Sequence, residues 1–399
     1  MKHHPRNSWR AISLATWASR AARAARAARR IVPVAIYVTA AFLPTLSAPA
    51  LADPLASPAR ASTLAAHALM LALAPAGTRL VAGGERGIVI VSDDGGVTWR
   101  QARVPVGVTL TAMHFADSEH GVAVGHDGVL LATRDAGLNW DKRLDGNQIN
   151  AMMLADAEHA AARAHAALAG ARPSEAKAAR QAVEQADNAA QDMQDTARFG
   201  PSRPLLAVWF KTRELGWAVG SYGQALRTRD GGVHWESIAA RIPNPEGLHY
   251  NAIGHGADGA LYLAGEGGKV YRSTDDGDSW RVADSGYKGQ LYGVLETAPG
   301  ALLAYGFGGH LLRSEDGGAS WRELPRLGDQ SLIGAAQDGA ALLLAARDGT
   351  LFRSMDQGRS FAVQGAARGL ELAAVALRGH TLALAGMGGV HLSAYQSSK

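Results

Sequence analysis

From about residue 68 onward, short apolar runs alternate with turns rich in Gly, Asp and Ser. In the first unit the runs are 68–73, 80–83 and 88–92; in the second they are 110–115, 121–125 and 129–133. A tight turn joins the second run to the third, Gly84-Glu85-Arg86-Gly87 in one unit and Gly125-His126-Asp127-Gly128 in the next. Short runs bounded by Gly turns predict antiparallel strands joined as hairpins.

Each third run leads into a box of the form Ser/Thr-x-Asp-x-Gly-x-x-aromatic, which occurs six times. Ser92, Asp94, Gly96 and Trp99 carry the first copy. Asp135 and Trp140, Asp230 and Trp235, Asp275 and Trp280, Asp316 and Trp321, and Asp356 and Phe361 carry the others, with Asp276 an equal candidate for the Asp place in the fourth. An Asp side chain accepts hydrogen bonds from backbone N–H groups just ahead of it, and so holds a tight turn. Gly supplies a positive φ that other residues resist. The aromatic ring closes the unit with a large buried contact. A carboxylate at every repeat is expected to be structural rather than half of a catalytic pair.

The closing aromatics stand at 99, 140, 235, 280, 321 and 361, at intervals of 41, 95, 45, 41 and 40. A period near 40 with four short strands per unit is the mark of a radial repeat fold. A seventh unit begins at Glu371 and continues through 381–386 and 390–393, without a box or a fourth strand. Residues 54–66 are expected to supply that strand and close the ring. The fold expected is all-β: a seven-bladed β-propeller of four-stranded antiparallel blades over 53–399.

The long interval predicts an insertion in blade three. Residues 156–198 are Ala-rich and helical in pattern, broken between Gly170 and Pro173. Ser174 is the expected N-cap of the second helix, and Val183, Ala186, Ala190, Met193 and Ala197 form a narrow apolar stripe along it. The expectation is an α-helical hairpin. Its stripe is either used up between its own two helices or offered to a partner.

Charge changes the picture. Residues 1–30 hold eight basic side chains and no acid, and 31–52 hold no charge, so the net charge of +4 becomes −4 for residues 53–399. A mildly acidic body gives no support to nucleic-acid binding. The basic stretch, the apolar run 31–46 and Ala50-Leu51-Ala52 together predict a signal peptide over 1–52, hence export to a Gram-negative periplasm, with no direct membrane span after its removal. Cysteine is absent, which excludes disulfides, a thiol nucleophile and Cys-based metal sites.

No catalytic residue, metal site or cofactor is expected. His126, His234, His249, His255, His310, His380 and His391 lack metal-ligand spacing. Arg241-Ile242-Pro243 is similar to a sialidase motif, but it follows the third box and has no arginine set around it. Binding residues are expected at the end of the ring that carries the second-to-third turns: Glu85, Arg86, His126, Asp127, Tyr222, Glu266, Phe307, His310, Arg347, Asp348 and Met387.

The run Gly216-Trp217-Ala218-Val219-Gly220-Ser221-Tyr222-Gly223, leading to Leu226-Arg227-Thr228-Arg229-Asp230-Gly231-Gly232, resembles the photosystem II stability/assembly-factor propellers, which carry Asp-box (bacterial neuraminidase) repeats. Gly121–Gly128 matches with Val122 where Trp is usual. The resemblance implies a seven-bladed propeller without catalysis, acting as a scaffold or assembly factor for a membrane protein or envelope complex. Photosynthetic members help to assemble photosystem II. Similar exported proteins of non-photosynthetic bacteria, some encoded beside resistance–nodulation–division transporters, are the nearer expectation here, because of the hairpin and the long basic leader. A glycan-binding or sialidase-like glycosidase propeller is the alternative.

Overall fold

The computed structural model describes residues 53–339, 341–366, 369–378 and 381–394. The expected signal peptide and His380 lie outside the described residues. Seven antiparallel sheets follow one another along the chain. Blade one is Met70–Ala76, Arg79–Gly84, Val89–Ser92 and Arg100–Gln101; blade two is Leu110–Phe115, Gly121–Gly125, Leu130–Thr133 and Asp141–Leu144. Blades three to six begin at Leu205–Phe210, Tyr250–His255, Leu291–Ala298 and Leu332–Asp338, each with four strands. Blade seven is Leu372–Arg378, Thr381–Gly386 and Gly389–Ala394.

The first strand of each blade packs beside the first strand of the next, and that of blade seven returns to blade one. These strands are therefore the inner wall of a closed ring. The hydrophobic core is divided among the interfaces. One cluster joins blades one and two through Val81, Val91 and Leu131, and another joins blades seven and one through Met70, Ile90 and Ala385.

The boxes form as the pattern predicts. Ser92 Oγ donates to Asp94 Oδ1 at 2.8 Å and accepts from Gly96 N at 2.7 Å, and the same pair of bonds recurs in all six copies. The fourth box uses Asp275; Asp276 reaches Lys211 instead, at 2.6 Å. The aromatics are less enclosed than expected. Trp140 is buried, whereas Trp99, Trp235, Trp280, Trp321 and Phe361 are half-buried, each directly before an outer strand.

Three expectations need correction. Residues 54–66 form no strand. They run along the outer strand of blade one, with Ala59 N bonded to Val104 O, and end in a short helix at Ala65–His67. Pro54 and Pro58 lack the N–H groups a paired strand would use. Blade seven consequently has three strands among the described residues. The helical hairpin forms as expected, as α1 (Gly146–Ala169) and α2 (Ala176–Arg198) inserted ahead of blade three's first strand, but it starts ten residues before 156. Its true start is a capping box. Asp145 accepts from Asn147 N and Gln148 N, and Gln148 Oε1 accepts from Asp145 N. Ser174 caps nothing; the chain enters α2 at Glu175 without a side-chain cap.

Candidate binding face

Each inner strand opens on a buried large residue: Met70, Leu110, Leu205, Tyr250, Leu291, Leu332 or Leu372. The pairing with the second strand then skips one residue. It shifts between Met70 and Ala72, Leu110 and Ala112, Tyr250 and Ala252, Leu291 and Gly293, Leu332 and Gly334, and Leu372 and Ala374. In blade three Leu205 pairs with Gly220 and Ala207 with Val219, so Leu206 is the residue left out. A bulge re-aims the side chain it leaves unpaired. Here it does so seven times at one level of the ring. Leu71, Thr111, Leu206, Asn251, Tyr292, Ile333 and Ala373 all line one axial cavity of about 450 Å³.

The cavity opens at the end that carries the second-to-third turns, since Arg347 and Met387 from those turns also line it, with Glu371 beside them. The turns are pinned to the inner strands by a repeated bond. Glu85 N donates to Leu69 O at 3.0 Å, and Phe307 N to Gln290 O at 2.9 Å. The preceding glycine lets the chains meet: a Cβ on Gly84 would sit 1.9 Å from Leu69 O. The two polar ring members bond across to the next blade. Thr111 Oγ1 donates to Leu205 O at 2.6 Å and Asn251 Nδ2 to Leu291 O at 2.9 Å. Most of the remaining lining is apolar.

Large apolar side chains stand exposed around this end: Tyr222, Phe307, Met387 and, at the root of α2, Phe199, which is 92% exposed. Others stand on the boxes at the opposite end, among them Val97, Val233 and Met355, so exposure alone does not single out this face; the axial cavity does. Tyr222 sits at φ 56°, with the Arg203 guanidinium 3.7 Å from its ring centre and the His249 ring 4.6 Å away. Tyr222, Arg203 and Phe199 border a groove of about 460 Å³ that continues to Met153 and Met193 of the hairpin. The hairpin root is rigid. Ile149 is fully buried in the core between blades two and three. The stripe residues Val183, Ala186, Ala190 and Met193 of α2 are half-buried, and no residue of α2 is fully buried.

The eleven turn-end residues divide. Arg347 and Met387 line the axial cavity, and Tyr222 lines the groove at the hairpin root. Arg86, His126, Asp348 and Phe307 are exposed on the turns, with Asp127 half-buried. Glu85 and Glu266 are turned onto their own blades, accepting from Leu69 N and His249 N. His310 is held at the outer side by Glu323, at 2.6 Å, and by the Tyr287 ring. The bulge residues, Arg203 and Phe199 were not on the sequence-derived face. The signal for the bulge residues is present in the chain: each follows the buried residue that opens an inner strand, at the period of the boxes.

Carboxylates elsewhere serve the fold. Ser279 and its backbone N–H hold Asp275 down to about 2, and Ser320 does the same for Asp316. Arg241 of the sialidase-like motif is held by Glu236 and Asp278, each at 3.0 Å. A second cavity, of about 240 Å³, lies between blades two and three at the box end. Arg134, Arg143 and Arg213 line it, but no tyrosine does. Arg213 is paired with Asp117 and Arg143 with Asp141. Among the described residues no group of His, Asp and Glu is arranged to hold a metal ion, and no helix is long and apolar enough to cross a membrane.

The chain is thus a seven-bladed propeller of Asp-box repeats with an axial cavity at one end. The model of the family described as "Photosynthesis system II assembly factor YCF48" matches residues 189–322. The solved structure described as "YCF48 bound to D1 peptide" is similar, with a TM-score of 0.58 and 15% identity, covering 83% of this chain and 95% of that one. YCF48 from Cyanidioschyzon merolae gives a TM-score of 0.57 and 15% identity, over 85% and 98%. No curated protein matches. The resemblance read from the repeats therefore holds: this is a propeller similar to the photosystem II assembly factors, with a helical hairpin between blades two and three.

Proposed function

We propose that this chain is an exported, non-catalytic scaffold or assembly factor that holds a polypeptide segment of a membrane protein or envelope complex at the open end of the axial cavity. The observation that carries the reading is the ring of seven bulge side chains, one per blade, around that cavity. The similar structure named as YCF48 bound to D1 peptide supports it, because a propeller of the same fold holds a peptide there named. A cavity that is mainly apolar, with Arg347 and Glu371 on its border and exposed aromatics beyond, suits a polypeptide better than a small charged substrate. Recognition would need little movement, since the bulges and turns are fixed by backbone hydrogen bonds. A resistance–nodulation–division transporter is one client of this kind, carried by the resemblance alone. Export rests on the leader at 1–52.

The test is capture of crosslinked partners from envelope membranes on the full chain, read by mass spectrometry, beside Ile333→Lys, Met387→Lys and the control Val233→Ala, exposed on the third box at the other end. The reading predicts a membrane protein that both cavity variants lose and the control keeps. Capture unaffected by the cavity variants, or retention of glycan without protein, would overturn it.

A further inference from the structure

Blade seven is one strand short among the described residues. Its third strand, Gly389–Ala394, pairs with Thr381–Gly386 on the inner side and with no described strand on the outer side. The other blades show what that edge lacks. Val390, His391 and Leu392 stand in the register of Val89, Ile90 and Val91 of blade one. A fourth strand covers the blade-one residues, and Val91 is 1% exposed; Leu392 is 41% exposed. Val390 and His391 are only half-buried. The His391 Nε2 is shielded from solvent and has no hydrogen-bond partner.

Backbone groups on this edge face outward in a known order. In blade one Ala102 N donates to Val89 O at 2.8 Å, and in blade three Ile238 N donates to the matching Ala225 O at 2.9 Å. Val390 holds that place in blade seven, and Leu392, two residues on, faces the same way. The flank at 53–66 touches only the start of the edge, where Ala66 lies against Gly389 and a Cβ on that glycine would sit 2.0 Å from Ala66 O; no described strand of the flank pairs with 390–394. Gln101 holds the flank through Arg60 O and Ser62 N, and Leu55 is buried with Lys142 Nζ on its carbonyl. From blade seven this flank therefore leads back along blade one toward blade two.

We propose that the outer edge of blade seven takes an extended segment of a partner polypeptide by strand addition, as an antiparallel fourth strand. Main-chain bonds to Val390 and Leu392 would give the affinity, and side-chain contact over Leu392 the selectivity. The six complete blades supply the template for this occupant. The site lies on the outer side of the ring, away from the axial cavity, and does not depend on what the cavity holds.

The probe is a fluorescent peptide copying residues 99–104, which contain the outer strand of blade one, titrated onto the full chain beside a scrambled peptide. Two variants accompany it. Leu392→Lys puts a charge on the edge, and Leu392→Pro removes an outward N–H; thermal unfolding checks that each folds. The expected result is saturable binding of the copy but not of the scramble, weakened by about tenfold or more in either variant that folds. Hydrogen exchange at 389–394 should slow only when the peptide is added. Absent binding, equal binding of the scramble, or binding unchanged in Leu392→Lys would overturn the proposal. So would slow exchange at 389–394 in the chain alone, which would mean that its own residues already cover the edge.

Discussion

Arg313 of blade five donates to the backbone carbonyl of Gln357 in the blade-six box at 2.5 Å, and its side chain is wholly buried. Gln357 has φ 60°. The relationship recurs in alternate interfaces. Arg227 reaches Asp276 O at 2.8 Å, and Arg79 reaches Ala136 O at 3.2 Å, where those residues have φ 54° and 57°. Boxes one, three and five place Gly at the same position. Where a side chain occupies the left-handed turn, an arginine from the preceding blade fixes it and joins two blades. Arg313 is also paired with Glu315 at 2.8 Å. Its replacement by Ala leaves buried acceptors unpaired and should destabilise the protein by about 3–5 kcal/mol. Arg79→Ala, at a more exposed clamp, should cost about 1 kcal/mol. Urea unfolding of the two variants checks the order.

The close approach at the blade turns makes a contrasting pair. A Cβ on Gly306 would lie 2.0 Å from Gln290 O, although its φ of −172° is ordinary extended backbone. Blade six has Ala346 at the matching position, and there no short helical turn follows. Gly306→Ala should therefore destabilise by about 2 kcal/mol or more through backbone displacement, whereas Ala346→Gly should cost about 1 kcal/mol or less. Thermal unfolding distinguishes them.

The boxes predict behaviour in acid. Asp230, Asp275 and Asp316 are held at about 2, below the usual carboxylate value of 3.8, by hydrogen bonds from their own boxes. Because the folded value is the lower one, their contribution is complete above the unfolded value and is lost as pH falls through about 2. Asp275→Asn should be less stable than the parent at neutral pH. The difference should narrow as pH falls from about 4 toward about 2 in denaturant titrations.

The hairpin makes its deepest contact through Ile149. Ile149→Ala should cost about 2–5 kcal/mol by leaving a cavity between blades two and three. It should also increase protease cleavage between α1 and α2, since no residue of α2 is fully buried.

Box spacing made the ring, the seven units and the interruption legible, because each box is local: Ser92, Asp94 and Gly96 find one another within five residues. The axial cavity was harder to see. Thr111 and Asn251 read as ordinary strand positions until the partner strand shows that the register skips them. The start of α1 was legible in principle, as Asp145 and Gln148 have capping-box spacing, but Gly146 and Asn147 look like a turn. That blade seven shows three strands among the described residues could not be read, because nothing local tells residues 54–66 to run along blade one rather than to pair with Gly389–Ala394.

The central claim is that partners meet this protein at the open end of the axial cavity. A photo-crosslinking amino acid placed at Tyr292, inside the cavity, and in a second protein at Val233, exposed on the third box, tests it directly in intact cells. The account predicts a crosslink to a membrane protein from position 292 and none from 233. A partner crosslinked from 233 and absent from 292 would contradict it.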